Sequence, residues 1–402
     1  MTICPTLPNR LARRGVVPRS GLCASVVCVL LLGAGCGGRR LTGDAGAREA
    51  VPEVSAETSG AVPLAISGAE VARRLSRFLW QEEPDPVLLA SVAASPLATS
   101  DDVRRLALQM LRDARARVGV GAFFRWWLQL DRVADVEKDP TLFPSFSPVM
   151  KAAMAAEAEA FGVFVTLDGD QRYPTLMTAP FSFVNESLAS VYGIDGVDGD
   201  GLRQVPLDPT QRAGLVTQLG LLARTHSTQN ASASARGYFI ARRLLCAAAP
   251  EPPPGESGGE PPANKTNRQW IEVATASPTC RVCHAAFDPV GYALGNFDAI
   301  GRFGTTEHGL PVDAKGTMTL WGSPTQERLT FEGPLQLAAL LATRPEAQTC
   351  FARQWLRFAV GRELTMADEP SLTNADARFH AADLSIPELI GAVASSESFL
   401  GP

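Results

Sequence analysis

One short stretch constrains this chain more than any other. In "TCRVCHAAFDPVG", residues 279–291, Cys280 and Cys283 stand three apart and His284 follows at once. Two thiols at this spacing reach from one turn of helix, and each can add to a vinyl group of haem to form a thioether. The adjacent histidine then lies beside the iron and binds it through a ring nitrogen. The motif therefore predicts covalent haem c, with His284 as the iron ligand.

Three other interpretations of the two thiols stay open. A zinc site takes four ligands, usually from two Cys or His pairs close in sequence, whereas His226, His308 and His380 are scattered. A thioredoxin-like redox pair is expected among alternating strands and helices, and alternating stretches are scarce here. The simplest interpretation is a disulfide between the two cysteines of the motif.

The sixth iron position distinguishes an electron carrier from an enzyme. Met318 is the best-placed methionine, followed by Met366, and His308 is a third candidate. A methionine ligand is typical of an electron carrier with a raised potential, whereas an empty position permits peroxide or oxygen chemistry. We expect a backbone carbonyl near Pro289 to accept the other N–H of His284.

A haem also needs an apolar surrounding that keeps water away. The stretch "FDPVGYALGNFDAIGRF" follows His284 directly. We expect its apolar side chains to form one wall of a haem crevice: Phe287, Val290, Tyr292, Leu294, Phe297 and Ile300.

The N-terminal 35 residues have the pattern of an export signal. Four arginines precede the short apolar stretch at residues 22–35, which is too short for a comfortable membrane span. It ends in small residues directly before Cys36, as in a bacterial lipobox. We predict a signal peptide at residues 1–35 and lipid on Cys36, in a protein exported to the periplasm or cell surface. A plain signal peptide or an uncleaved anchor is the alternative.

Charge excludes one class of partner. The chain carries a net charge of −5, and no block of Lys and Arg is large enough for a nucleic-acid footprint. Loss of residues 1–35, which hold four arginines and no acid, would make the net charge −9. Because anionic headgroups do not attract such a protein, its membrane attachment has to come from acyl chains.

The cysteine count predicts one disulfide. Of eight cysteines, three lie in the predicted signal peptide, one is the predicted lipid site and two belong to the motif. Cys246 and Cys350 remain, an even pair in an oxidising compartment. We predict that they form a bridge that closes a loop of about one hundred residues. Two buried free thiols are the alternative.

Apolar residues recur at helical spacing along most of the chain, which predicts an all-α fold. A small hairpin at residues 310–322 is the one expected exception. Ser100 is the expected N-cap of the second helix. We predict helices over residues 68–80, 100–130, 146–165, 181–193, 209–223 and 235–248, then around Trp270 and over 334–343, 346–361 and 385–398.

Composition divides the chain into segments. Residues 36–65 are rich in Gly, Ala, Ser and Glu and are typical of a flexible tether. Residues 250–266 are rich in Pro and Gly and are interpreted as a linker. Two helical domains are predicted on either side, at residues 66–249 and 267–402.

Several stretches share a resemblance: "RRLSRFLWQEEPDPVLL", "FSFVNESLASVYGI", "RAGLVTQLGLLA", "RGYFIARRLLCAAAPEPPP", "TCRVCHAAFDPVGYALGNFDAIGRF" and "WLRFAVGREL". From about residue 67 to its end, the chain resembles exported proteins of unknown function from planctomycetes and myxobacteria. Those proteins end in a planctomycete cytochrome c-like domain, and the last of their domains carries the Cys-x-x-Cys-His. The resemblance implies that residues 267–402 form a cytochrome c-like domain and that Cys280, Cys283 and His284 hold the haem.

We therefore expect a membrane-tethered, exported monohaem c-type cytochrome-like lipoprotein that transfers electrons to a redox partner protein. One alternative is a haem-dependent peroxidase or oxidase linked to polysaccharide breakdown. Another is a non-redox surface lipoprotein that binds a partner or acts as a scaffold. The sequence leaves open whether the protein is an enzyme.

Overall fold

The computed structural model describes residues 64, 66–225, 227–248, 261–319 and 327–401. The predicted signal peptide, the lipid site at Cys36 and nearly all of the tether lie outside these residues, as does most of the predicted linker. Within the described ranges, no helix is both long and apolar enough to cross a membrane.

The predicted, mostly helical character is confirmed. The described residues contain sixteen α-helices. They are α1 (Gly68–Leu79), α2 (Pro86–Ala94), α3 (Ser100–Met110), α4 (Ala116–Leu128), α5 (Pro148–Leu167), α6 (Tyr173–Thr178), α7 (Glu186–Tyr192), α8 (Leu219–Ala223), α9 (Ala233–Phe239), α10 (Asn267–Ala274), α11 (Pro278–Tyr292), α12 (Gly333–Thr343), α13 (Pro345–Val360), α14 (Glu369–Ala381), α15 (Ile386–Ala394) and α16 (Glu397–Leu400). Short 3₁₀ turns occupy Leu130–Val133, Leu215–Thr217 and Met366–Asp368, and a π-helical turn occupies Ile240–Leu244.

The long helix predicted over residues 100–130 is two helices, α3 and α4. The Asp113 carboxylate accepts hydrogen bonds from the backbone N–H and the guanidinium of Arg115, at 3.0 Å each. A short acid that bonds its own neighbouring backbone competes with the helical ladder and favours a turn. The N-cap of α3 is Thr99, which forms a reciprocal capping box with Asp102, and Ser100 is the first helical residue.

Other predicted helices also start late or divide. Residues 181–193 begin as strand and become helix only at Glu186. Residues 209–223 are helical only in the short turn Leu215–Thr217 and in α8, and the segment 385–398 divides into α15 and α16.

In the described ranges, the strands form three separate antiparallel pairs. They are β1 (Phe181–Val184) with β2 (Arg203–Pro206), β3 (Thr306–Glu307) with β4 (Leu310–Pro311), and β5 (Lys315–Thr319) with β6 (Arg328–Glu332). The hairpin predicted within residues 310–322 is therefore wrong. Strand β4 pairs with the preceding strand β3, and β5 pairs with β6, which follows it in the chain. Alternation along residues 310–322 indicates extended backbone, but it does not specify the partner strand.

An aromatic cluster lies at the centre of the largest core. The rings of Phe123 and Trp355 stack with centroids 3.6 Å apart, and Phe351 meets Phe123 edge-on at 5.9 Å. The core runs from Val71 to Leu400 and includes residues from both sides of the predicted linker. Elements of the two predicted domains therefore share one hydrophobic core.

A disulfide joins Cys246, just after the π-helical turn, to Cys350 on α13, with Cα atoms 5.4 Å apart. The carbonyl of Arg243 accepts hydrogen bonds nearby from Trp127 Nε1 at 2.8 Å and from Gln354 Nε2 at 3.3 Å. The bridge and these bonds hold α4, the π-helical turn and α13 together.

Candidate functional site

Helix α11 carries the whole Cys-x-x-Cys-His motif. The Ser277 hydroxyl accepts the N–H of Cys280 at 3.2 Å, and Pro278 occupies the first helical turn, where its missing N–H costs nothing. Cys280 is 4% exposed, whereas Cys283 and His284 are half-buried. Residues three and four apart share one side of a helix, so the three side chains lie on the same side of α11.

Two glycines bring α11 against α9 at backbone distance. A Cβ atom added at Gly237 would lie 1.9 Å from the carbonyl oxygen of Phe287. A Cβ atom added at Gly291 would lie 1.8 Å from the carbonyl oxygen of Ala233. Since no side chain fits between the two helices here, this crossing fixes where α11 presents its motif.

A buried carboxylate orients the motif histidine. Nδ1 of His284 lies 3.1 Å from each carboxylate oxygen of Asp288, one helical turn further on. The Asp288 side chain is 4% exposed and that of His284 is 29% exposed. A carboxylate that accepts the Nδ1 proton leaves Nε2 as the ring's electron-pair donor. The expected acceptor, a backbone carbonyl near Pro289, is thus replaced by a side chain.

Next to this pair lies a cavity of about 780 Å³, within the range of small-molecule and cofactor sites. His284, Ala285, Pro289, Tyr292 and Phe331 contribute to its wall. Much of the remaining wall is charged: Arg268, Glu272, Arg281, Asp288, Lys315, Arg328 and Glu332.

The predicted apolar crevice differs from this cavity. Of the six side chains expected there, Tyr292 lines the cavity. The other five are buried in the hydrophobic core and do not line it: Phe287, Val290, Leu294, Phe297 and Ile300. They occupy the face of α11 and the following turn that packs against neighbouring helices, because apolar periodicity marks buried positions whatever they are buried against.

The predicted sixth ligands do not line the cavity. Met318 on β5 is 2% exposed and belongs to the main core, and Met366 is 90% exposed. His308 is exposed and its Nδ1 lies 2.9 Å from the carbonyl oxygen of Lys265. Within the described ranges, the cavity wall contains no methionine and no histidine besides His284.

The state of the two thiols bears on how well this site fits a covalent haem. Cys283 carries a free thiol, so the Cys280–Cys283 disulfide left open by the sequence is not formed. Cys280 is itself disulfide-bonded, and its sulfur has to be released by reduction before it can bond to a vinyl group. In the described part of the chain, no group of three or more Cys, His, Asp or Glu side chains is arranged to hold a bare metal ion.

The donor set nevertheless fits a haem iron better than a bare ion. His284, with the Asp288 carboxylate behind it, would hold a haem iron through Nε2, and the cavity adjoins it.

Three family models match successive parts of the chain. Residues 66–194, 212–307 and 329–399 match proteins of unknown function described as DUF1592, DUF1588 and DUF1585. The names of these models refer to planctomycete cytochrome c-like proteins. No curated protein and no solved structure matches the chain.

The motif and the predicted linker both fall within one of these matched segments. Residues 280–284 lie in the second matched segment and not in the last, and the predicted linker at 250–266 lies inside that same segment. The chain thus carries three domains of unknown function, and the motif belongs to the middle one.

Proposed function

We propose that this protein is a membrane-tethered, exported monohaem c-type cytochrome-like lipoprotein that transfers electrons, and that it groups with planctomycete and myxobacterial proteins. One observation carries the proposal. His284 lines a cavity of about 780 Å³ and is held from behind by the buried Asp288 carboxylate, within a Cys-x-x-Cys-His motif.

Each motif residue has a distinct task in this proposal. Cys280 and Cys283 hold the macrocycle through thioethers, and His284 binds the iron through Nε2. The bound group supplies one-electron redox chemistry. Asp288 keeps the proton on Nδ1 and makes the imidazole a stronger donor, which favours the oxidised iron.

The charged cavity wall suits the two carboxylates of a haem. Arg281, Lys315 and Arg328 line the cavity, and guanidinium and ammonium groups bind carboxylates through charge-assisted hydrogen bonds. Tyr292 and Phe331 provide apolar ring surface on the same wall.

The described cavity wall contains no methionine and only one histidine, His284, which favours a second candidate, a haem-dependent peroxidase or oxidase. A haem with only His284 as protein ligand keeps a position for peroxide or oxygen. A low-spin, methionine-type spectrum would identify the carrier, whereas a high-spin iron that binds cyanide would identify the enzyme.

Covalent haem is tested by expressing the chain together with a cytochrome maturation system. We expect a reduced-minus-oxidised spectrum and a haem-stained band after denaturation, both lost in Cys283→Ala. The matched control is the double variant Cys246→Ser/Cys350→Ser, which removes sulfur elsewhere and keeps the stain. A colourless wild type, from cells that mature another c-type cytochrome, would leave the surface scaffold as the remaining function.

The role of Asp288 is tested by Asp288→Asn. We expect a higher reduction potential, because the neutral amide makes His284 a weaker donor to the oxidised iron. Asp195→Asn, at an exposed residue outside the cavity wall, is the control and keeps the wild-type potential. Equal potentials in all three proteins would contradict the positioning role.

The lipid anchor is tested by growing cells with a radiolabelled fatty acid. We expect label on the wild type and none on Cys36→Ser, which should also leave the membrane fraction. An unlabelled wild type would contradict lipid attachment and leave the haem proposal intact.

A further inference from the structure

Arginine side chains gather around Trp126. The Cζ atoms of Arg243 and Arg357 lie 5.8 Å and 5.5 Å from the centroid of the Trp126 ring. Arg224 places its Cζ atom 4.0 Å over the ring of Phe239. The group contains further arginines, because the charges of Arg132 and Arg242 act on its members.

This positive charge has little compensation within the described residues. Of the five arginines, Arg357 forms an ion pair, with Glu363. The other four form none there: Arg132, Arg224, Arg242 and Arg243. Burial and the neighbouring charges of Arg132 and Arg243 lower the pKa of Arg224 to about 9. In a chain with a net charge of −5, such a local excess of cations is costly unless an anion joins it.

One guanidinium of the group is left with an unused donor. Nη2 of Arg224 donates to Oε1 of Gln129 at 2.8 Å. Nη1 is buried and has no hydrogen-bond partner, and the guanidinium lies in a deeply buried position. Buried donors are nearly always satisfied, so a missing partner calls for an explanation. A guanidinium fork is shaped to bind two oxygens of a carboxylate or phosphate.

The backbone holds the group in place. Arg243 belongs to the π-helical turn Ile240–Leu244. Such turns are rare in proteins overall, and those that occur are often found at functional sites. The carbonyl of Arg243 accepts two side-chain hydrogen bonds, and the disulfide at Cys246 follows three residues later. These hydrogen bonds and the disulfide hold Arg243 in a fixed position beside Trp126.

We propose that the arginine cluster of Arg132, Arg224, Arg242, Arg243 and Arg357 binds an oxyanion, the carboxylate or phosphate group of a small ligand. None of these residues lines the cavity beside His284, so the proposal is independent of haem. The exposed side chains of Arg132 and Arg242 give the anion access from solvent, and Nη1 of Arg224 is a buried donor without a partner.

The test titrates the purified full chain with inorganic phosphate and separately with malonate, against sodium chloride at matched ionic strength. Binding is followed by calorimetry and by the midpoint of thermal unfolding. We expect one saturable site and a raised midpoint with phosphate, malonate or both, and the preferred anion reports the chemistry of the natural ligand. Arg132→Gln and Arg243→Gln should each weaken binding at least tenfold.

Arg112→Gln is the matched control, because Arg112 is exposed and forms no ion pair within the described residues. It removes the same charge and should leave the affinity unchanged. The proposal is overturned if neither anion binds at concentrations up to about 10 mM, tenfold above a dissociation constant of about 1 mM. Equal weakening in Arg112→Gln and Arg132→Gln would also overturn it, because binding would then follow net charge alone.

Discussion

Glu157 is a carboxyl group without solvent exposure, on helix α5. Its Oε1 accepts hydrogen bonds from Ser182 Oγ at 2.7 Å and from Tyr192 Oη, whereas Oε2 is buried without a partner. Arg212 lies close enough to lower the pKa, but its guanidinium donates to the carbonyls of Thr217 and Gly301. Burial outweighs these effects and raises the pKa of Glu157 from 4.5 to about 7.

This pKa shift predicts a pH-dependent stability. Between pH 4.5 and 7 the folded state binds more protons at Glu157 than the unfolded state, so the free energy of unfolding falls as pH rises. The loss across this interval is on the order of 3 kcal/mol. Urea unfolding of Glu157→Gln from pH 5 to pH 8 should show a flatter profile and higher stability than wild type at pH 8.

Glu397→Gln serves as the control for Glu157→Gln, since Glu397 is exposed. It should keep the wild-type slope. A slope unchanged in Glu157→Gln would show that another group controls the pH dependence.

At the residue scale, the sequence motif identified His284 but not the Asp288 carboxylate that contacts its Nδ1 atom. The proximity of Cys280, Cys283 and His284 could be predicted from their spacing, because residues of one helical turn are neighbours in any fold. Asp288 stands four residues after His284, one helical turn further on, but the acceptor expected from the sequence was a backbone carbonyl. Met318 lies in the core and does not line the cavity, because sequence distance does not say which side of a strand faces a cavity.

At the scale of elements, the crossing of α9 and α11 determines where the motif stands. Gly237 and Gly291 let the two backbones touch. In an isolated helix, alanine would be favoured over glycine by about 1 kcal/mol. The tertiary contact reverses this preference, because a methyl group at either position overlaps a backbone carbonyl.

Gly291→Ala should therefore lower the free energy of unfolding by at least about 2 kcal/mol, since a backbone clash has no low-cost relaxation. Chemical unfolding measures the change. Gly201→Ala is the matched control, because a Cβ there meets nothing within 4 Å, and it should stay within about 0.5 kcal/mol of wild type. Equal effects of the two variants would contradict the close crossing.

Long helices such as α1, α5 and α13 could be predicted because they bury one face at a 3.6-residue period. Strand β1 could not be predicted, because its four residues directly precede α7 and were included in the helix predicted over residues 181–193. Strand β5 lies against α11, where a Cβ at Gly316 would approach the carbonyl oxygen of Pro289 to 2.2 Å. That contact depends on tertiary packing and leaves no local signal.

At the scale of the molecule, a disulfide between described residues spans the predicted boundary between domains. The Cys246–Cys350 bridge joins residues 104 apart, and the core packs residues from both sides. Loop-entropy arguments assign a bridge of this span about 4 to 5 kcal/mol, through restriction of the unfolded chain.

Cys246→Ser/Cys350→Ser should lower the free energy of unfolding by about 4 kcal/mol. Cys283→Ser, which removes a thiol that forms no disulfide, is the control and should change it by less than about 1 kcal/mol. Denaturant unfolding without reductant measures both variants. A double variant as stable as the control would mean that the packed core alone holds the two parts together.

The sequence by itself determined the mostly helical character and the spacing of the Cys-x-x-Cys-His motif, and it singled out Cys246 and Cys350 as a pair. These properties depend on local periodicity, adjacent residues and cysteine counting. Tertiary structure alone decided the partners of the strands, the shared core, the cavity beside His284 and the arginines around Trp126. Each of these joins residues far apart in the chain, and their proximity follows from packing that no local pattern encodes.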